Sequence, residues 1–519
     1  MRRPFICIIL TYIFLLSACG RNEQYEHEAN PYAFQYALHR ASLRREEIKV
    51  PGLADIIPLT EGRIPSTGAG LVRVAMRRPA PDYLSVQDAA LDARLFFETL
   101  RGYYSGYLYF GGNAVFNEVL ATIEAELLAL QVEMITHAQF VEIMYRHLVG
   151  IIRDCHFRFY YYTLSFGMDY FRAYCDTPLY MRNENGFKNI NTGAYLIEIK
   201  GYEIEQVMRL FADERGDIFY RPILLKNMLP FLENILYQHF TGQEIERATV
   251  PVYFLYEGNN QNIYTFTQTM RMPQINTREL PSLVYKYNIP ILTVSVMGFD
   301  GVHYIRYREH VAPFLHYAQY LQNEPFIILD LRNAVGGNGF LPIRWLYELT
   351  GEIIRSNKIM LVAEPYTGDE ARDYFFLKAG NAYDSHFLSP RVKPVGGGYY
   401  TIRGYNENPR EIIEREQLLI ILTSNSTASA AELLIDLTFN VTNTILIGTP
   451  TQGALLSDMS LNPLFLPRSG IPFGFGRALS LFNEDHFLEG AGFTPDVWVD
   501  GDALAVALAL LRNAGLLNA

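Results

Sequence analysis

The chain has 519 residues, 49% of them apolar and 14% aromatic, with a formal net charge of −11. Its length accommodates about two to four domains with sizeable cores. The acidic balance argues against nucleic acid as a partner, because binding phosphates needs a basic surface.

The chain opens on MRRPFICIILTYIFLLSACG. Two arginines, an apolar run and a small-residue site make a secretory leader whose apolar part is too short to span a bilayer. Leu16-Ser17-Ala18-Cys19 resembles the bacterial lipobox, in which the cysteine begins the mature chain and carries acyl chains. That resemblance makes residues 1–18 a lipoprotein signal peptide and Cys19 the lipidation site. It implies a location in the bacterial cell envelope, anchored to a membrane and facing the periplasm or the surface. Each buried CH2 contributes about 0.8 kcal/mol, so several acyl chains make a stable anchor. Loss of Arg2 and Arg3 with the leader takes the charge from −11 to −13. Cys7 leaves with the leader. Cys155 and Cys175 remain as thiols that could pair in an oxidising compartment. No Cys-x-x-Cys or zinc-ligand spacing exists, so no metal or other cofactor is expected.

Residues 19–78 are mixed and polar, and read as a tether with an irregular lead-in. Helical pattern starts at Ser85, where Ser85 and Asp88 form a capping-box-like pair before AALDARLFFETL. Amphipathic runs at about 114–130 and 137–152 complete an N-terminal helical module over 79–155. Residues 156–280 read as a mixed α+β module. FRFYYYTL and AYLIEIKG have strand character, and YEIEQVMRLF and LPFLENILYQHF have helical character. VPVYFLYEGNNQNIYTFTQTM reads as a hairpin turning at Gly258-Asn259-Asn260.

From 281 to 519 apolar strands alternate with helices. PILTVSVMGF, FIILDLR, QLLIILT and TILIGTP read as strands, and HVAPFLHYAQYLQ, LPIRWLYELTG and LLIDLTF as helices. This is the pattern of parallel βαβ units. Right-handed crossovers put the strand-to-helix loops at one edge of such a sheet, so NAVGGNG and NSTASAAEL should open on one crevice. Gly336 and Gly337 fit three readings: a phosphate loop, a plain turn, or backbone N–H donors for an oxyanion at a helix start. GGNG is neither a dinucleotide fingerprint nor a Walker loop. In the second loop Ser424, Ser426, Thr427 and Ser429 carry hydroxyls. They cap a helix, or one of them is a nucleophile. Ser429 is flanked by Ala428 and Ala430, which leave room for a substrate, and the helix dipole would sit beneath an oxyanion. Glu432, in the first helical turn, reads as structural. A serine needs a base, and the bare sequence does not separate His156, after Arg153-Asp154-Cys155, from His486 in FNEDHFLEG.

FIILDLRNAVGG, STASAAELLIDLTFN, ILIGTPTQGA and LEGAGFTPDVWV together resemble the serine peptidases that include the C-terminal processing proteases and the tricorn core. The resemblance covers the order of parts from about residue 84, with the motifs clear from 289 to 500. It implies an α/β fold: a crotonase-like, ClpP-like βαβ core behind the helical and mixed modules. It makes Ser429 the nucleophile, and Gly336, Gly337 and Ala430 the oxyanion donors. Arg153-Asp154-Cys155-His156-Phe157 is similar to the Asp-Gly-His motif of the histidine-base branch, so His156 is the implied base. Glu489 matches that branch's acidic member, and His486 falls to a groove or surface role. A protein or peptide substrate follows.

The chain departs from the pattern in three places. The lysine of the processing proteases would stand at 454, where this chain has Ala454. Cys155 replaces a small residue. GAYLIEIKGYEIEQV resembles only the last part of a PDZ domain, so the middle module is at most a compact or degenerate one. Two rival readings are a ligand-binding protein on the same scaffold, as in retinoid-binding relatives of the eye, and a non-catalytic surface scaffold whose hydroxyl turn is only a cap.

Overall fold

Six strands make the central sheet: β1 (Ser282–Lys286), β2 (Ile289–Thr293), β3 (Phe326–Asp330), β4 (Leu418–Thr423), β5 (Thr444–Gly448) and β6 (Val497–Trp498), hydrogen-bonded in that order. β2 through β6 run parallel, and β1 closes one edge as an antiparallel hairpin with β2. The computed structural model describes residues 33–49, 83–160, 280–297, 304–363, 411–458, 463–483, 486–490, 492–499 and 502–517, with strand segments between 180 and 268 and between 391 and 403. Every residue of β4 and β5 is buried, as parallel strands are when helices cover both faces.

Eight helices are described: α1 (Ala33–Glu47), α2 (Val86–Tyr103), α3 (Gly112–Ala129), α4 (His137–Leu148), α5 (Tyr304–Tyr320), α6 (Phe340–Thr350), α7 (Ala430–Thr438) and α8 (Ala503–Asn513). The strand period of two sorts β4 between two cores. Leu419 and Ile421 pack with Phe314 of α5, Trp345 of α6 and Leu434 of α7. Ile420 and Leu422 pack with Phe34 of α1 and Leu511 of α8 on the other face. The molecule is thus a mixed α/β structure around a multi-strand sheet. Among the described residues no helix is long and apolar enough to cross a membrane.

Residues 19–78 are not irregular throughout, because α1 occupies 33–47. Phe34, Ala37 and Ala41 recur at helical spacing and are buried, while Arg44 reaches Asp496 at 2.7 Å and lies over the Phe439 ring. The polar average of the segment hid that narrow apolar stripe. Cys19, and with it the lipid attachment, lies outside the described residues.

The helices of the N-terminal module begin as their capping residues dictate. Ser85 Oγ accepts the Asp88 N–H at 3.0 Å at the head of α2, and Thr136 with Gln139 forms a capping box on α4. Their apolar faces do not close a core of their own. Phe96, Phe116, Phe140 and Phe157 share one cluster with Leu361, Tyr399, Phe473, Phe475 and Leu479, from far along the chain. An antiparallel sheet of strands 391–396, 399–403, 359–363 and 478–481 supplies part of that cluster. A short ladder supplies another part and fixes the segment after His156: Phe159 pairs with Phe473, and Arg158 with Gly474.

In the middle region strands 180–183, 186–189, 195–199, 248–256 and 260–268 form an antiparallel sheet. The hairpin turns at Glu257 and Gly258, the latter at φ 83°, and Asn260 already pairs with Tyr256, so the turn falls earlier than the glycine–asparagine run suggests. Tyr202 and Glu203 pair with the strand 195–199 rather than opening a helix. The rest of YEIEQVMRLF, all of LPFLENILYQHF and the end of FRFYYYTL lie outside the described residues.

Candidate active site

β4 ends at Thr423 and α7 begins at Ala430, and the turn between them is laced to the loop after β3. Thr427 Oγ1 donates to the Leu331 carbonyl at 2.8 Å, Ser424 Oγ to the Arg332 carbonyl, and the Ala428 N–H to the Ala334 carbonyl at 2.9 Å. The hydroxyls of Ser424 and Thr427, two of the four in the loop, are therefore structural. Ser429 is different. It stands at φ 54° and ψ −118°, a conformation that a residue with a Cβ enters only under strain, of about 1–3 kcal/mol. It is half-buried between the buried Ala428 and Ala430. A strained serine on a sharp strand-to-helix turn is the device by which hydrolases of another fold present a nucleophile.

What holds the strain is Glu432, one turn into α7 and fully buried. Its Oε2 accepts the N–H groups of Ser429 and Ala454 at 2.9 and 2.8 Å. Its Oε1 accepts the Gly453 N–H at 2.7 Å and the Thr451 hydroxyl at 2.6 Å. Burial pushes this carboxyl up, and the four donors pull against that. The structural reading of Glu432 thus acquires specific partners.

Gly336 packs against the same turn. A Cβ there would lie 2.7 Å from the Ser429 Cβ, 2.6 Å from the Ala428 oxygen and 2.8 Å from the Ala430 nitrogen, and φ is 89°. Only glycine allows this approach. Gly337 follows, exposed, at φ 139°. Among the described residues the N–H groups of Gly336, Gly337 and Ala430 donate to no acceptor, whereas the Gly336 carbonyl is used by Met297 N–H. Three uncommitted main-chain donors thus come from two loops that touch at Ser429.

His156 is 7% exposed. It follows a tight turn in which Asp154 Oδ1 accepts the main-chain N–H of His156 at 2.9 Å. Asp154 is fully buried and also accepts the Tyr104 hydroxyl at 2.8 Å and the Ser457 hydroxyl at 2.7 Å. Cys155 touches Ala428 and Ala454, which sets the histidine segment against the serine turn. Burial lowers the His156 pKa, and Asp154 opposes that. A neutral imidazole near pH 7 is the form a base needs. Its Nδ1 is buried and takes no hydrogen-bond partner.

Glu489 does not hydrogen-bond to His156. Its Oε1 accepts the Cys155 N–H at 2.9 Å, and its Oε2 the N–H groups of Leu455 and Leu456 at 2.9 and 2.7 Å. Burial, then the charge of Asp154, push its carboxyl well above the usual range. The segment 453–457 is therefore a spine to which three acidic residues pin both halves of the site. Glu432 ties it to Ser429, Glu489 to Cys155, and Asp154 to His156. Asp154, His156 and Glu489 bring ligand-type atoms within 4.8 Å of one another. Both carboxylates already accept three donors each, which suits a hydrogen-bonded support better than a cation site.

Cys155 carries a free thiol, donating to the Gly453 carbonyl at 3.3 Å. Its suggested partner Cys175 lies outside the described residues. His486 is neither a groove nor a surface residue: its side chain is 3% exposed, pairs with buried Asp436 at 2.8 Å, and sits among Phe439, Phe482 and Phe493. The groove or surface role fell to it only because the resemblance gave the base to His156, and its partners Asp436, Phe439, Phe482 and Phe493 are brought to it by the fold. Sequence reasoning missed Tyr104 and Ser457, and had Asp154 only as the first residue of the Asp-Cys-His motif, without a role of its own. Only the spacing of Asp154 two places before His156 gave any signal.

No protein-family model and no curated protein matches the chain. Among solved structures it is similar to mature CPAF, at 13% identity and a TM-score of 0.43, over 83% of this chain and 99% of that one. It is similar to the photosystem II D1 C-terminal processing protease at 14% identity and a TM-score of 0.33, over 83% and 99%. Similarity to the tricorn protease is at 14% identity and a TM-score of 0.32, over 83% of this chain and 37% of that one. At such values these likenesses say nothing of activity, which has to follow from the side chains.

Proposed function

We propose that the protein is a serine endopeptidase of the histidine-base kind, acting on protein or peptide substrates through an acyl-enzyme. The observation that carries the reading is Ser429 at φ 54° and ψ −118°, on a turn shared with uncommitted N–H groups. Ser429 Oγ attacks the substrate carbonyl as His156 takes its proton. The N–H groups of Gly336, Gly337 and Ala430 receive the oxyanion, where one donor is typically worth about 10²–10³ in rate. His156 then protonates the leaving amine, and water attacks the acyl-serine by the reverse route. A helix cap explains neither the strain nor the idle donors, which disfavours a purely structural role for the turn. A fluorophosphonate probe tests the reading. Labelling of the wild type and its complete loss in Ser429→Ala are expected, while an unlabelled wild type would leave a ligand-binding scaffold instead.

The same proposal places the enzyme in the bacterial cell envelope, held by lipid on Cys19. The support is the Leu16-Ser17-Ala18-Cys19 tetrapeptide behind a basic and apolar leader. Cys19→Ser should release the protein from membrane fractions or stall its processing. Unchanged maturation and membrane association of that variant would refute the anchor.

A further inference from the structure

We infer that the open edge of the central sheet, at strand β1, is a membrane-contact face: a tyrosine-rich, locally cationic surface that lies on anionic lipid at headgroup depth. The inference goes beyond the peptidase reading. It rests on the envelope reading for the identity of the surface, and its test uses neither the lipid on Cys19 nor turnover.

β1 pairs only with β2, so among the described residues its outer edge is open. Val284 and Tyr285 on the strand, Tyr287 in the turn after it and Tyr320 at the end of α5 are between 47% and 60% exposed. They form one face. The Tyr285 hydroxyl donates to Glu324 at 3.1 Å and meets the Tyr320 side chain in a second hydrogen bond. The Lys286 ammonium and the Arg512 guanidinium of α8, both exposed, lie 5.9 and 5.5 Å from the centre of the Tyr287 ring. A contiguous exposed apolar patch marks a binding face. Rings with polar tips, flanked by Lys and Arg, are the side chains that settle between lipid and water.

Three observations favour a lipid surface over a protein. The chain carries −11 overall, yet here two cations stand without a carboxylate partner among the described residues, and Glu324 is tied to Tyr285. The exposed apolar group of the helical module, Leu128, Val132 and Met134, surrounds an exposed acid, Glu133, instead. A second copy in a two-fold contact would set the cationic face against itself. The position of the chain's start agrees. α1, the first described element, packs in one cluster with α8 and with Ile289, which faces Lys286 across the hairpin. Thirteen residues, 20–32, separate it from Cys19. Such a length spans at most about 50 Å, so lipid on Cys19 would keep this side of the sheet near the bilayer. The open main-chain groups of β1 set the depth, because water satisfies them among headgroups and hydrocarbon would not.

The test is co-sedimentation with vesicles of phosphatidylglycerol and phosphatidylethanolamine, beside vesicles of phosphatidylcholine alone. The protein is the chain from residue 19 with Cys19→Ser, which keeps every described residue and carries no acyl chain. It should bind the anionic vesicles, and less as salt rises. A cation at such a surface contributes about a factor of five, so Lys286→Gln with Arg512→Gln should weaken binding about 25-fold. Tyr285→Ser, Tyr287→Ser and Tyr320→Ser together should weaken it at least about tenfold, with circular dichroism unchanged because all three side chains are exposed. No binding by the unsubstituted chain, or binding that both sets of substitutions leave intact, would overturn the inference. So would a dimer that the tyrosine substitutions dissociate while vesicles bind neither form, since the face would then join two copies. A Cys19→Ser protein that stays membrane-bound in cells refutes the lipid alone, and the vesicle result still judges this face.

Discussion

Replacing His156 by alanine is expected to lower peptide cleavage by about 10⁴–10⁶, because a nucleophile and its base act as one unit. Labelling by a fluorophosphonate probe should fall with it. The fold should persist, since the main-chain N–H of residue 156 would still donate to Asp154 and the ladder from Arg158 to Gly474 does not use the ring. Adding Ala454→Lys should rescue nothing. Ala454 is 4% exposed, its N–H is held by Glu432, and it packs on Ala428 and Cys155, so a lysine has no room to enter unstrained. Burial lowers the His156 pKa, so in the wild type the acid limb of activity should lie below the ordinary 6.5 rather than at it. Activity is present above that limb and lost as pH falls through it. The three proteins are compared on one peptide pool, with circular dichroism to confirm folding. Near-full activity in His156→Ala would remove the base from the scheme and leave Ser429 without a partner.

The strand-to-helix turn that carries Ser429 was legible because its signals are local. An apolar run, small residues around one serine, and a glutamate one turn later all fall within a few residues. The two loops were placed together by the parallel-sheet argument, and the Ala428–Ala334 hydrogen bond joins them. The helix of residues 33–47 was not legible, because three small or aromatic residues on a polar background fall below what periodicity can register. Nor were the buried partners of Asp154. Tyr104, Asp154 and Ser457 are brought together by tertiary packing over gaps of 50 and 303 residues, which leaves no sequence pattern. His486 shows the reverse error. Once the resemblance gave the base to His156 it was left a groove or surface role, yet Asp436 and three aromatic rings bury it. Removing that ring should therefore matter for stability rather than for chemistry.

Glu432→Ala is expected to cost both stability and activity, and the two losses share one cause. The carboxylate satisfies four buried donors: Ser429, Gly453 and Ala454 through their N–H groups and Thr451 through its hydroxyl. An unsatisfied buried donor costs about 1–3 kcal/mol, and Thr451 can turn to another acceptor, so a net loss of about 4 kcal/mol follows. Glutamine should not restore it. Each carboxylate oxygen receives two donors, so whichever end becomes NH2 meets N–H groups or a hydroxyl head-on. The effect on activity runs through the backbone. The Ser429 N–H is held while its φ stands at 54°, and without an acceptor the turn can relax to an ordinary helix N-terminus. That would swing Oγ away from Gly336 and from the idle donors, and a misplaced nucleophile can cost about 10² in rate. Urea unfolding and single-turnover acylation separate the two effects. A variant that loses stability but acylates at the wild-type rate under folded conditions would show that Glu432 staples the spine without setting the serine.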